Sequence, residues 1–192
     1  MSKDSDLVFE AIEDQAPRLG ASDRRTFVKG AALAVGGGAL GLMALPSAAF
    51  ARNDPQTILN VAASAEVLAT IVNTVGWERG LGRDAVTQRN IKAAAREELV
   101  HYNVLTSIGG KAVTTRIWVP DAVFANRTNL LNTLQVGDQI FVNAYLIATK
   151  HFGDAGSGQY AAITAEFMGV EAVHRALARQ SLGQLGNDRV FM

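Results

Sequence analysis

The residues of this chain that are best suited to chemistry form two copies of the pattern Glu-x-x-His. They are Glu98-Leu99-Val100-His101 and Glu171-Ala172-Val173-His174. Residues three apart on a helix lie on one face, so each carboxylate can act together with its imidazole. One copy alone is typical of a surface pair, but the chain has only 3 histidines and two of them stand in this pattern within apolar runs. The repetition therefore indicates a metal-binding site.

The composition limits which ligands such a site can offer. The chain has 192 residues and no cysteine, which excludes disulfides, thiolate metal ligands and a cysteine nucleophile. Any metal must be held by carboxylates and imidazoles, which suits iron, manganese or zinc. The formal net charge is zero, so no basic surface points to nucleic acid and we expect no such partner.

Four helices are predicted to position these groups, at about 54–77, 85–108, 129–152 and 159–182, from the spacing of apolar residues and the flanking helix caps. Asp54 is the predicted N-cap of the first helix and Thr128 that of the third. A short turn between the last two helices predicts that they are antiparallel neighbours. The aperiodic stretch between the second and third helices predicts a long crossover, with Trp118 and Phe124 packed against the helices.

Each predicted helix carries a carboxylate in the middle of its apolar seam. Glu66 is the only charged residue between Pro55 and Trp77, and a lone buried carboxylate has to be paired, protonated or bound to a cation. Glu97, beside the second seam, is interpreted as a solvated charge. The four seams together supply four carboxylates and two imidazoles, whose four negative charges balance two divalent cations. We predict that these six residues form a metal site: Glu66, Glu98, His101, Asp138, Glu171 and His174.

The two motifs, with the segment Asp138–Ala148, resemble the ferritin-like superfamily, and most closely its exported bacterial, desiccation-related branch. The resemblance implies an all-α, ferritin-like four-helix bundle over 52–182 and two Fe or Mn ions. It implies that Glu98 and Glu171 are bridging or terminal ligands, with a terminal carboxylate on each of the other two helices and the imidazoles as nitrogen ligands. The family usually has Glu at the position of Asp138, and the shorter side chain would weaken or reshape one metal position.

Residues 1–51 have the pattern of a secretory signal peptide. Arg24-Arg25-Thr26-Phe27-Val28-Lys29 precedes an uncharged run and the small-residue site Ala49-Phe50-Ala51. The arginine pair resembles a twin-arginine signal, which predicts transient contact with the twin-arginine translocation machinery and a periplasmic location. The alternative is a membrane anchor, but the run 30–45 is shorter than the roughly 20 residues of a spanning helix. The tail 183–192 shows no periodicity and is assigned no role.

Two functional classes are compatible with this site, so the sequence leaves open whether the protein is an enzyme. In the first, a dinuclear Fe or Mn centre reacts with oxygen or peroxide. In the second, a non-catalytic metal-binding or stress-protective bundle, which could be a homo-oligomer, only retains ions. A metal-free polar network of the six residues is a third interpretation. Tyr102 and Tyr145 are candidates for hydrogen-bond donors behind the ligands, or for core packing.

Overall fold

The computed structural model describes residues 54–188, so the predicted signal peptide 1–51 lies outside the described residues, as does 189–192. The described part contains four α-helices, one short 3-10 helix and no strand. The prediction of an all-α four-helix bundle is confirmed, and every helix boundary lies within two residues of the predicted one. The helices are α1 (Pro55–Glu78), α2 (Ala85–Ser107), α3 (Arg127–Asp154) and α4 (Gly158–Ser181).

Helix α1 begins where the sequence predicts. The Asp54 carboxylate accepts a hydrogen bond from the Thr57 backbone N–H at 3.2 Å, which satisfies one of the free donors of the first turn. The helix is long and apolar enough to cross a membrane, but 56% of its most apolar window is buried inside the protein. Such burial is typical of a core helix.

Contacts between backbones divide the chain into two compact units, with boundaries inside α1 and α2. Among the described residues, the first unit comprises 54–68 together with Glu98–Trp118. In it, the stretch after α2 is fixed to α1 by hydrogen bonds from Gln56 to the Gly109 carbonyl (2.7 Å), from the Lys111 N–H to Asn60 (2.8 Å) and from the Val113 N–H to Ser64 (2.8 Å).

Gly110 is required at this close approach. A Cβ atom at this position would lie 2.7 Å from the Leu105 carbonyl oxygen and 3.1 Å from that of Leu59. Both atoms belong to helical backbone, which cannot move aside cheaply. The absence of a side chain therefore lets the chain turn tightly after α2 and lie along α1.

The second unit comprises Ala69–Glu97 and Val119–Met192, and its largest element is the hairpin of α3 and α4. Two edge-to-face aromatic pairs join these helices, Tyr145 with Phe167 (5.5 Å between ring centroids) and Phe152 with Tyr160 (5.4 Å). The pairing of later α3 residues with earlier α4 residues shows that the helices are antiparallel. This prediction is confirmed.

Two details of the crossover differ from the sequence-based expectation. The N-cap of α3 is Asn126, whose side chain accepts a hydrogen bond from the Asn129 N–H at 2.9 Å, so the prediction of Thr128 was wrong. Trp118 is 74% exposed, and the prediction that it packs on the helices was also wrong. Phe124 is buried as predicted, with the Arg79 guanidinium 5.0 Å from its ring centroid.

A polar cluster within the second unit joins the ends of three helices. Asp84 caps α2 by accepting from the Thr87 N–H at 2.8 Å, and Arg127 at the start of α3 donates to the Asp84 carboxylate at 2.8 Å. The same guanidinium donates to the Ser181 carbonyl at the end of α4, also at 2.8 Å. The charge-assisted bonds of one arginine therefore fix the relative positions of α2, α3 and α4 at this end of the unit.

Substitution Asp84→Asn should remove a pH-dependent part of the stability. The Thr87 hydrogen bonds, with Arg127, lower the pKa of Asp84 from 3.8 to about 2. Because the folded-state pKa is the lower one, this stabilisation is complete above pH 3.8 and is lost as the pH falls towards 2. Asparagine keeps the helix cap but not the charge. The melting temperatures of the wild type and of Asp84→Asn, measured between pH 2 and 6, should therefore converge below pH 3. A difference that stays constant over this pH range would contradict the prediction.

The first residues of the C-terminal tail are held in place, although the sequence suggested no role for them. The Asp188 carboxylate lies 2.9 Å from a nitrogen of Arg175 and 2.9 Å from one of Arg179. Arg175 is only 4% exposed, so Asp188 supplies a counter-charge to a buried guanidinium. The hydrogen bond from Arg175 lowers the pKa of Asp188, which keeps this pair charged at neutral pH.

Candidate metal centre

All six residues predicted as metal ligands are buried within their helices. Glu66, Glu98 and Glu171 have no solvent exposure, and the other three are 4 to 8% exposed. Each helix has a seam of buried apolar residues, and the predicted ligands interrupt these seams. Burial of ionisable groups at this density is costly unless cations, protons or hydrogen bonds compensate the charge.

Within the first unit, Glu66, Glu98 and His101 form what we call the first cluster. Each offers one ligand atom, and these atoms lie within 4.8 Å of one another. His101 Nδ1 is 3.4 Å from a Glu98 oxygen and 3.6 Å from a Glu66 oxygen. The pairing of Glu98 with His101 comes from the helical i,i+3 spacing of α2, and Glu66 is added by α1.

Within the second unit, Asp138, Glu171 and His174 form the second cluster. Their ligand atoms also lie within 4.8 Å of one another, and His174 Nδ1 is 3.6 Å from a Glu171 oxygen. Asp138 comes from α3 and the other two residues from α4. The second Glu-x-x-His motif therefore has the same local arrangement as the first, with Nδ1 of the imidazole on the side of its own glutamate.

Both clusters fit a divalent cation. Two ligands bonded at about 2.1 Å to one ion, at angles of roughly 90 to 110°, stand about 3.0 to 3.4 Å apart. The imidazole–carboxylate distances of 3.4 to 3.6 Å are close to this range. Each cluster also pairs two carboxylates with one imidazole, so a divalent ion would balance its charge with oxygen and nitrogen donors only. The described residues thus contain buried carboxylate and histidine clusters that could hold metal ions.

Glu97 contacts a residue of the second cluster, which the sequence-based interpretation missed. Its side chain is 51% exposed, yet one carboxylate oxygen lies 2.6 Å from His174 Nε2. A carboxylate can only accept this bond, so Nε2 carries a proton, while Nδ1 is the ring nitrogen on the side of Glu171 in the second cluster. Glu97 is exposed, as predicted, but its contact with His174 was missed, because the partner lies on another helix and no local pattern reveals it.

Substitution Glu97→Ala should weaken cation binding at the second cluster by about 10- to 100-fold. Without its acceptor, the His174 ring is free to rotate or to place its proton on Nδ1. Glu97→Gln keeps a carbonyl acceptor and should restore most of the affinity. Arg96→Ala, at an exposed position on the same turn, is the matched control and should bind as the wild type does.

Calorimetric titration of Mn²⁺ into the metal-free proteins measures this effect. The melting temperature of each metal-free variant shows whether a loss of affinity comes from unfolding. Equal affinities for Glu97→Ala and Arg96→Ala would show that Glu97 does not orient the imidazole.

Both tyrosines considered as hydrogen-bond donors are buried. Tyr102 follows His101 in the chain and is 1% exposed. Burial raises the pKa of Tyr102 above its usual value of 10.0, so its hydroxyl stays protonated at neutral pH. Tyr145 is 4% exposed and packs edge-to-face on Phe167. Tyr102 and Tyr145 therefore pack in the core, which is one of the two roles considered for them.

A comparison with protein families agrees with the helical architecture and the buried clusters. A family profile described as "Ferritin-like domain" matches residues 53–184. This range includes all four helices and all six buried site residues. Neither the curated proteins nor the solved structures gave a match.

Proposed function

Because the chain belongs to the ferritin-like domain family, we propose that it binds two Fe or Mn ions, one at each cluster, and that the loaded protein reacts with oxygen or peroxide. The observation that carries this proposal is the burial of two carboxylate–histidine clusters. Ordinary core packing would place apolar side chains at these positions, so a cation is the simplest reason for their charge.

Bound iron or manganese would supply the change of oxidation state that oxygen or peroxide chemistry requires. The protein would contribute ligands, charge and orientation. In this proposal Glu66, Glu98 and His101 would hold one ion and the second cluster would hold the other, with Glu98 and Glu171 as a carboxylate ligand in each cluster. Glu97 fixes the protonation of His174 so that Nδ1 is the donor.

The second candidate is a bundle that retains ions without catalysis, in stress protection or as a metal-binding protein. Asp138 favours it, because a carboxylate one methylene shorter than the family's usual glutamate reaches less far into the second cluster. An ion held there by fewer or longer bonds would be bound more weakly. Such a protein would bind metal but consume no oxidant.

Oxidant consumption separates the two candidates. The mature protein, loaded anaerobically with Fe²⁺ or Mn²⁺, should consume dissolved oxygen or added hydrogen peroxide faster than the free ion does. The double variant Glu171→Ala, His174→Ala serves as control and should react no faster than the free ion. If the loaded wild type consumes neither oxidant, the catalytic proposal fails and the metal-retaining one is left.

We further propose that the protein is exported to the periplasm through the twin-arginine pathway. The support is the sequence Arg24-Arg25-Thr26-Phe27-Val28-Lys29 before an uncharged run. That pathway carries folded proteins, which suits one that acquires its ions before export. Replacing both arginines by lysine should keep the precursor in the cytoplasm on cell fractionation. Unchanged export of this variant would contradict the proposal.

A further inference from the structure

A small cavity within the second unit reaches the second cluster. Its volume is about 30 Å³, and both Asp138 and His174 line it. A single water needs roughly 10 to 15 Å³ by this measure, whereas an engineered cavity of about 150 Å³ holds benzene. The space therefore has room for a molecule of two or three heavy atoms.

The lining of the cavity includes Ser181, at the end of α4 that Arg127 holds. Ser181 and Asn90 are its partly exposed polar lining residues, while Asp138 and His174 are buried. Ser181 lies two helical turns after His174, which corresponds to roughly 10 Å along α4. The hydroxyl oxygen of Thr87, also in the lining, lies 3.0 Å from that of Ser181. The lining residues thus extend from partly exposed positions to the buried ligands.

The walls disfavour a cation as the occupant. Besides the polar residues named above and the buried amide of Asn73, the lining consists of aliphatic side chains, which cannot replace the hydration shell of an ion: Ile91, Ala94, Leu131, Leu134, Leu177 and Ala178. The Arg127 guanidinium, bonded to the lining residues Thr87 and Ser181, also places a positive charge next to this part of the lining. A neutral molecule meets neither barrier.

We propose that this cavity is the route by which a neutral oxidant of two oxygen atoms, dioxygen or hydrogen peroxide, reaches Asp138 and His174, and that Ala94 sets its width. The identity of the molecule rests on the proposed function, whereas the cavity and its residues do not. Dioxygen and hydrogen peroxide share this size and neutrality.

Substitution Ala94→Leu should fill the cavity, and Ala95→Leu is its matched control. Both alanines are 7% exposed and adjacent in α2, but only Ala94 lines the cavity. Should Ala94→Leu fail to fold, as judged by circular dichroism, Ala178→Val fills the same cavity from α4.

The first measurement needs no metal. Dissolved oxygen is paramagnetic and speeds the NMR relaxation of methyl groups that it contacts. In the metal-free wild type and in Ala95→Leu, the methyls of Leu131 and Leu134 should relax faster under oxygen than those of Leu59 and Leu105, which are buried outside the cavity. Ala94→Leu should lose this difference. Its absence in the wild type, or its persistence in Ala94→Leu, would overturn the proposal.

The second measurement uses the iron-loaded proteins at equal metal content. Ala94→Leu should react more slowly than Ala95→Leu with oxygen or hydrogen peroxide, and equal rates would overturn the route. The oxidant whose reaction is slowed by Ala94→Leu is the molecule that uses the cavity. A loaded wild type that consumes neither contradicts the proposed function, while the relaxation measurement still decides whether the cavity takes up oxygen.

Discussion

Glu171→Gln is expected to change thermal stability in opposite directions with and without metal. In the metal-free protein the second cluster holds two carboxylates and one imidazole, so even a protonated imidazole leaves excess negative charge. Removing one charge from this buried set should raise the melting temperature. With metal present, the same substitution removes a ligand and should abolish the stabilisation that binding provides.

The size of the metal effect follows from mass action. At a free metal concentration 100 times the Kd, binding stabilises the folded state by about 2.7 kcal/mol, which corresponds to roughly 5 to 10 °C in melting temperature for a domain of this size. The wild type should show this increase with Mn²⁺, and Glu171→Gln should show little of it. Glu166→Gln, an exposed residue of the same helix, is the control and should behave as the wild type does. A metal-dependent shift that survives in Glu171→Gln would place the ion elsewhere.

Phe152→Ala is expected to have the largest effect on the folding of the metal-free protein, a loss of about 3 to 5 kcal/mol in the free energy of unfolding. Phe152 has no solvent exposure and packs edge-to-face on Tyr160 at the closed end of the α3–α4 hairpin. Truncation leaves a cavity between the helices that supply the second cluster. Urea unfolding of wild type, Phe152→Ala and the milder Phe152→Leu measures the loss. A loss below about 1 kcal/mol would contradict close packing there.

The sequence predicts the helices well because their signals are local. Asp54 before Pro55, the glycines after the helices and the spacing of apolar residues all act within one or two turns, and the observed boundaries lie close to the predicted ones. The caps are less certain where several candidates are adjacent. Asn126 and Thr128 both have side chains that can cap a helix, and only the path of the crossover decides between them.

The contacts that the sequence did not reveal join residues far apart in the chain. Glu97 meets His174 across 77 positions, and Arg127 meets Ser181 across 54. Glu97 is off its own seam by helical phase, and its partner depends on how α2 and α4 pack. Burial of the six site residues, by contrast, follows from their places on apolar seams. A pattern within one helix shows which face is buried, but not which side chain of another helix it meets.

The most direct test is a calorimetric titration of the metal-free protein with Mn²⁺ or, anaerobically, with Fe²⁺. We expect two equivalents of metal to bind per chain. One should be lost in Glu66→Ala at the first cluster, and the other in Asp138→Ala at the second. A protein that binds no metal, or that binds it equally well in both variants, would contradict the central claim that the two buried clusters are metal sites.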